Sequence, residues 1–115
     1  MVLLNTTSAF TRRVLAAVRR LKSGQVATYG DIASAAGHPR AYRAVGNIMR
    51  ECGSRDVPCH RVIAAGGYLG GYGSNPRLKA ALLRAEGLIV SANRVKNWRE
   101  RRVFTRQTAA GSRQQ

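Results

Sequence analysis

Acidic residues are scarce in this chain, since five Asp and Glu stand against twenty Lys and Arg and leave a net charge of +15. The field of such a surface attracts polyanions, through steering of the encounter and release of counterions. Many of the cations are arginines, which can bond phosphate through two parallel donors. The charge therefore predicts a nucleic acid as partner, without choosing DNA over RNA. A solvated basic surface with no particular partner is the alternative.

Long apolar runs are also lacking, and none approaches the ~20 residues that a membrane helix requires. The start, Met1-Val2-Leu3-Leu4-Asn5, is too short for the apolar region of a secretory signal, so we expect a cytoplasmic protein without a membrane partner. Cysteine occurs only as Cys52 and Cys59, which in a reducing cytosol are more often free thiols than a disulfide. Their wide spacing, with only two histidines to add ligands, predicts no metal site.

The length of 115 residues and the apolar content of 44% suit one domain with a single modest core. We place this domain at residues 1–104 and predict that the basic and polar tail, 105–115, is disordered. Apolar residues recur at helical spacing over 8–22, where Ser8 can cap a helix. The other face of this helix is basic, and we interpret it as the solvated face of a core helix.

Two short helices are predicted on either side of the turn Gly37-His38-Pro39. Thr28-Tyr29-Gly30-Asp31 has the pattern of a capping box, which would open a helix over 31–36. Pro39 suits the first turn of a second helix, over about 40–50. Such a pair is typical of a helix-turn-helix, although many helical proteins contain a similar corner.

The second helix of this pair combines an apolar face, formed by Val45, Ile48 and Met49, with small and polar positions elsewhere. The small residues would let its backbone approach a neighbouring surface closely. In a DNA-binding protein that surface would be a groove, whereas in an ordinary core it would be another helix. The small and polar positions are Ala41, Arg43, Ala44, Gly46, Asn47 and Arg50.

The second half of the chain predicts a small β element in a mostly α fold. Residues 57–65 have the pattern of a short buried strand entered through Pro58, and another short strand is expected within 88–95. The glycine-rich stretch 66–73 lacks the strand and helix context of a dinucleotide loop, so no cofactor is predicted there. A last helix is predicted over 76–86. Its residues expected to face inward are Leu78, Ala81, Leu82 and Ala85.

Cys59, His60 and Glu86 offer a nucleophile, a base and a carboxylate. A cysteine is nucleophilic as thiolate, which a neighbouring imidazole favours by accepting its proton. A carboxylate on the far ring nitrogen would orient that imidazole. On residue types alone, a buried cysteine that acts as a small apolar residue is the more common interpretation.

The run Pro58-Cys59-His60-Arg61-Val62-Ile63 resembles the active-site signature of the O6-alkylguanine-DNA alkyltransferases, the methylated-DNA–protein-cysteine methyltransferase family. The similarity extends over residues 10–87, and it includes the motifs at 24–33 and 43–50 in the order of the family. It covers the C-terminal DNA-binding and active-site domain of those proteins. The resemblance implies a single domain with a winged-helix-like helix-turn-helix core.

The resemblance also implies roles for individual residues. Cys59 would accept the alkyl group, and His60 and Glu86 would complete a proton relay through a water. Tyr29 would push the phosphate of the target nucleotide outward and donate a hydrogen bond to the departing guanine. Arg43 would enter the base stack and fill the vacated space. The protein would be a monomer that binds double-stranded DNA containing alkylated guanine, without a cofactor.

The helix over 41–50 would, by this resemblance, lie in the minor groove, which is only ~6 Å wide and would explain the small residues. DNA contacts are expected from Tyr29, Ala41, Arg43, Ala44, Gly46, Asn47 and Arg50. The substrate pocket is expected to be formed by Met49, Pro58, Tyr72 and Gly73.

Three functions stay open at this point. The first is irreversible alkyl transfer to Cys59. The second is a non-catalytic damage sensor that hands alkylguanine to excision-repair proteins, as in the single-domain alkyltransferase-like proteins, whose short arrangement we expect here because the family-like residues begin at about Phe10. The loop 51–56 also lacks the asparagine common in the family, and Gly73-Ser74-Asn75-Pro76 replaces its Ser-Gly-Gly. The third is a basic architectural module that ignores damage.

Overall fold

The computed structural model describes residues 2–52, 57–70 and 75–104. Helix α1 spans Val2–Arg19 and is followed by strand β1, Ala27–Thr28. The predicted buried face of α1 is confirmed, since Val14, Ala17 and Val18 are buried. The predicted start at Ser8 was wrong, because the chain is already helical from Val2. No glycine or proline interrupts 2–8 in the sequence, so nothing there prevents the backbone from continuing the helix toward Val2.

The helix-turn-helix pair consists of α2, Tyr29–Ala35, and α3, Tyr42–Glu51. The capping box is confirmed: the Asp31 amide donates to Thr28 Oγ1 and the Thr28 amide donates to Asp31 Oδ2, both at 3.0 Å. Helix α3 begins later than predicted, because the Ala41 amide donates to the His38 carbonyl and keeps 39–41 in a turn. Pro39 therefore lies in the turn, outside the first turn of the helix.

Strand β2, Val62–Ile63, pairs in parallel with β1, so that Ala27 faces Val62 and Thr28 faces Ile63. The longer strand predicted over 57–65 was wrong. Cys59–Arg61 and Ala65–Gly67 form 3-10 turns on either side of β2. The amides of Cys59 and Arg61 donate to the carbonyls of Val57 and Pro58, so these groups serve a turn instead of a strand ladder.

The strand predicted within 88–95 is a hairpin of two strands, β3, Val90–Ser91, and β4, Arg94–Val95. Between them, Ala92 and Asn93 have φ of 52° and 64°, the left-handed pair that a tight two-residue hairpin turn requires. A short helix, α5, Trp98–Arg101, follows. Arg102 then makes two hydrogen bonds to the Asp31 carboxylate, at 2.8 and 2.9 Å, and so ties this part of the chain to the capping box.

Helix α4 spans Pro76–Ala85, and the side chain of Asn75 caps it by accepting from the Leu78 amide at 3.0 Å. The predicted inward face was wrong. Lys79 and Leu83 are the buried residues of α4, while Leu78 is 44% exposed. Leu83 packs into the apolar core, and the Lys79 amine donates to the Val62 carbonyl. The face of α4 that carries these two residues therefore packs against the protein, in place of the predicted face. The expected face consists of Leu78, Ala81, Leu82 and Ala85.

Two clusters of buried apolar side chains meet at the β1–β2 pair. Ala27 and Val62 point into a cluster shared with α1, α2 and α3, while Val26 and Ile63 point into one shared with α4, the hairpin and α5. This division follows from strand geometry, because successive side chains leave a strand on opposite sides. The predicted fold class, mostly α with a small β element and a helix-turn-helix, is confirmed. In the described ranges, no helix combines the length and hydrophobicity needed to cross a membrane.

Candidate active site and nucleic-acid interface

Cys59 begins the 3-10 turn that leads into β2, and it is only 4% exposed. Its backbone amide donates to the Val57 carbonyl at 2.7 Å, which closes a tight turn centred on Pro58, a half-buried residue. Burial, followed by a hydrogen bond and charge repulsion from Cys52, raises the pKa of the Cys59 thiol from 9.0 to about 12. The resting side chain is therefore a thiol, and a base must remove its proton when it reacts.

His60 and Glu86 meet although 26 positions separate them in the sequence: His60 Nε2 lies 2.9 Å from Glu86 Oε2. Glu86 is the C-cap of α4, so the end of that helix places the carboxylate beside the 3-10 turn. An ionised carboxylate only accepts hydrogen bonds, so Nε2 carries the ring proton. Nδ1 is then the atom of neutral His60 that can accept a proton.

Arg61 holds the same carboxylate through two bonds, from Nε to Oε1 at 2.9 Å and from a terminal nitrogen to Oε2 at 2.6 Å. Its other terminal nitrogen donates to the Leu21 carbonyl at 2.9 Å. Partial burial by itself would raise the pKa of Glu86, but the hydrogen bonds from Arg61 and His60 outweigh it and lower the pKa from 4.5 to about 2. Glu86 is thus a carboxylate at every physiological pH.

The side chain of Lys79 is only 1% exposed, and it was not predicted from the sequence as a site residue. Its Nζ donates to the Val62 carbonyl at 2.7 Å and lies 5.9 Å from the centre of the Tyr29 ring. Burial lowers the pKa of Lys79 from 10.5 to about 7, although the electrostatic interaction with Cys59 acts in the opposite direction. Helical spacing contained one indication that Lys79 lies near Glu86. Lys79 precedes Glu86 by seven residues, or two helical turns, and therefore falls on the same side of α4.

Tyr29 is the first residue of α2, directly after the capping threonine, and its side chain is half-buried. A Cβ at Gly70 would come within 2.6 Å of the Tyr29 hydroxyl, so this glycine lets the backbone pass directly over the phenol. The tyrosine ring therefore lies against the Gly70 backbone and close to the buried amine of Lys79.

Helix α3 presents most of the expected DNA contacts on its solvent side. Arg43, Ala44, Asn47 and Arg50 are exposed, and Ala41 and Gly46 are half-buried. A Cβ at Gly46 would meet nothing within 4 Å, so the surface there is open. The side chains of Asn47 and Arg50 are hydrogen-bonded to each other.

The predicted pocket residues are only partly described. Met49 is 3% exposed and lies in the same cluster as Cys59, and Pro58 precedes the cysteine directly. Tyr72 and Gly73 lie outside the described residues. Where the chain is described, no three His, Cys, Asp or Glu side chains gather in a way that could hold a metal ion.

Comparison with known proteins identifies the domain and its relatives. Residues 9–88 match the family described as 6-O-methylguanine DNA methyltransferase, DNA binding domain. The methylated-DNA–protein-cysteine methyltransferase of Salmonella typhimurium is 45% identical over 83 residues, which is 70% of this chain and 48% of that protein. The Homo sapiens protein of the same name is 41% identical over 83 residues, 69% of this chain and 39% of that protein. The chain spans about half the length of the curated relatives it matches.

Solved structures agree with this match. S. pombe Atl1, in complex with damaged DNA containing O6-carboxymethylguanine, has a TM-score of 0.65 and 32% identity, covering 71% of this chain and 79% of that one. Mycobacterium tuberculosis OGT in complex with DNA has a TM-score of 0.62 and 44% identity, covering 67% of this chain and 48% of that one. The chain therefore belongs to the family of the DNA-binding domain of 6-O-methylguanine DNA methyltransferase.

Proposed function

We propose that this protein repairs DNA by moving the alkyl group of O6-alkylguanine irreversibly onto Cys59. The observation that carries the proposal is the 2.9 Å contact between His60 and Glu86 directly beside a buried cysteine. A nucleophile, a base and an orienting carboxylate are the parts that activate a side chain of this kind. The names of the relatives support the same reaction.

Binding would depend on the basic surface and on α3. The net charge of +15 favours phosphate contacts, and the small residues of α3, exposed Ala44 and half-buried Gly46, would allow close approach to the minor groove. A guanine inside the duplex cannot present its alkyl carbon in line with a buried thiol, so the base must be flipped. Flipping costs a few kcal/mol, least for a damaged pair, and Arg43 is the exposed side chain of α3 that would fill the gap.

The reaction would begin with the transfer of the Cys59 proton to His60 Nδ1 through a water. Glu86 stabilises the imidazolium that forms, because its carboxylate already accepts from Nε2. The thiolate attacks the alkyl carbon, the bond from that carbon to O6 breaks, and its electron pair stays on the guanine. Tyr29 protonates the guanine ring and becomes a phenolate, and Lys79 Nζ lies 5.9 Å from the centre of the phenol ring. The product is a thioether, so each molecule acts once.

A damage sensor is the second candidate, and two observations favour it. The pKa of Cys59 is raised to about 12, so little of the nucleophilic thiolate is present at neutral pH. The fold is also similar to S. pombe Atl1, whose structure contains damaged DNA. Such a protein would bind the lesion and pass it to excision-repair partners without reacting.

Intact mass separates the two functions. We expect that incubation with a duplex containing O6-methylguanine adds a methylene, ~14 Da, to the wild-type chain and to Cys52→Ala, and nothing to Cys59→Ala. Tight binding of the damaged duplex without a gain in mass would contradict the transfer and support the sensor. Equal affinity for damaged and undamaged duplex would contradict both, in favour of an architectural DNA-binding module.

A further inference from the structure

The Glu86 carboxylate is held from two sides, and only one of them belongs to the proposed proton relay. His60 contacts Oε2, while Arg61 contacts both oxygens through the planar fork of its guanidinium. The three side chains are largely shielded from water, at 12% exposure for His60, 17% for Arg61 and 14% for Glu86. Screening by solvent is correspondingly weak, and the geometry of each bond is well defined.

Arg61 is itself anchored, which gives the arrangement its rigidity. Its remaining terminal nitrogen donates to the carbonyl of Leu21, just beyond the end of α1. Its backbone belongs to the same 3-10 turn as Cys59 and His60. One guanidinium therefore joins the end of α1, the C-cap of α4 and the turn that carries the nucleophile.

A glutamate without this clamp would have three rotatable bonds and access to water at the end of a helix. Its carboxylate would spend part of the time away from His60, and the imidazole could then change its tautomer or turn over. Two parallel bonds from a fixed arginine remove that freedom, which a single bond from His60 cannot do.

We propose that Arg61 is a positioning residue for the alkyl transfer: it acts through Glu86 and keeps His60 protonated on Nε2, with Nδ1 turned to accept the proton of Cys59. This inference rests on the proposed function, but its structural half concerns the DNA-free protein. The arginine touches neither the thiol nor the base, and it exchanges no proton.

The first measurement is the tautomer of His60, by long-range 1H–15N NMR of the DNA-free protein at about pH 8. We expect the Nε2–H form in the wild type and a mixture of tautomers in Arg61→Met. The control is Arg102→Met, which breaks the comparable two-bond pair with Asp31 at a distance from the relay and should leave His60 unchanged. An Nε2–H signal that persists in Arg61→Met would overturn the proposal.

The second measurement is single-turnover alkyl transfer together with the affinity for damaged duplex. Arg61→Met should slow transfer roughly ten- to hundredfold, the size of effect that small misplacements produce. Affinity should stay within about twofold, because the Arg61 guanidinium is turned to Glu86 and the Leu21 carbonyl and is not among the residues proposed to contact DNA. Arg61→Lys should restore part of the rate, since lysine keeps the charge but holds one oxygen at a time. It also serves as the readout should the methionine variant fail to fold.

A double-mutant cycle decides whether Arg61 acts through Glu86. In a Glu86→Gln background, Arg61→Met should change the transfer rate by less than about twofold. A full effect in that background would show an independent role and refute the proposal. A wild type that transfers no alkyl group would refute the proposed function alone, and the tautomer measurement would still decide the role of Arg61.

Discussion

The buried amine of Lys79 should measurably change how the free energy of unfolding depends on pH. The folded protein lowers the pKa of Lys79 to about 7, whereas 10.5 is the ordinary value that the unfolded chain would show. Between these values the unfolded chain binds a proton at this site and the folded protein does not. Raising the pH removes that advantage of the unfolded state, so the free energy of unfolding should rise from pH 7 upward.

The Cys59 thiol limits this rise, because the sign of its effect is opposite. Its pKa is about 12 in the folded protein against an ordinary 9.0, so above pH 9 the unfolded chain loses a proton that the folded protein keeps. Stability gained from Lys79 should therefore accumulate between pH 7 and pH 9 and level off beyond. Two pH units at about 1.4 kcal/mol each correspond to about 3 kcal/mol, an upper estimate for a group that is 1% exposed.

Urea unfolding at a series of pH values from about 6 to 9 measures this effect, since urea carries no charge. The wild type should gain about 3 kcal/mol relative to Lys79→Met over this window. Lys96→Met, which removes the same charge from an exposed position, should follow the wild type. Parallel curves for the wild type and Lys79→Met would refute the reasoning and would mean that Lys79 is protonated in the folded protein.

Two further predictions concern the Cys59 thiol and the packing of Gly67 against Trp98. Since Cys52 raises the pKa of Cys59, Cys52→Ala should speed the alkylation of Cys59 by iodoacetamide at about pH 8, and an unchanged rate would contradict the contact between the thiols. Gly67→Ala should cost more than about 2 kcal/mol in urea unfolding, because φ is +92° and the new Cβ would lie 2.5 Å from the Trp98 ring. Gly46→Ala, in an open helical position, should instead stabilise the DNA-free fold by about 0.5 kcal/mol, and a loss at Gly67 no larger than this would refute the packing argument.

Local features of the fold are predictable from the sequence because they depend on close neighbours. The capping box needs only Thr28 and Asp31, three positions apart, and the buried face of α1 follows from its periodicity. The helix boundaries are less predictable, since they depend on bonds such as the one from the Ala41 amide to the His38 carbonyl. Helix α1 begins before Ser8, a good capping residue, because no glycine or proline in 2–8 stops the helix.

The site residues that belong to a sequence motif were predictable, whereas those brought to the site by tertiary contacts were not. Cys59, His60 and Glu86 were indicated by their chemistry and by the family resemblance. Hydropathy places a lysine at the surface, so the burial of Lys79 could not be expected without Val62, whose carbonyl lies 17 positions away in the sequence. Tertiary contacts of this kind override local pattern.

The two bonds from Arg102 to Asp31 also bear on how the chain acquires its structure during synthesis. They join residues 71 positions apart, and the backbone reinforces them where the Val26 amide donates to Arg101 and the Val103 amide donates to Val26. A ribosome delivers residues 26–36 long before it delivers 101–103. The amino-terminal helices can form early because their contacts are local, but the clamp on α2 must wait until nearly the whole domain has left the exit tunnel. The helix-turn-helix is thus synthesised well before the residues that hold α2 in place.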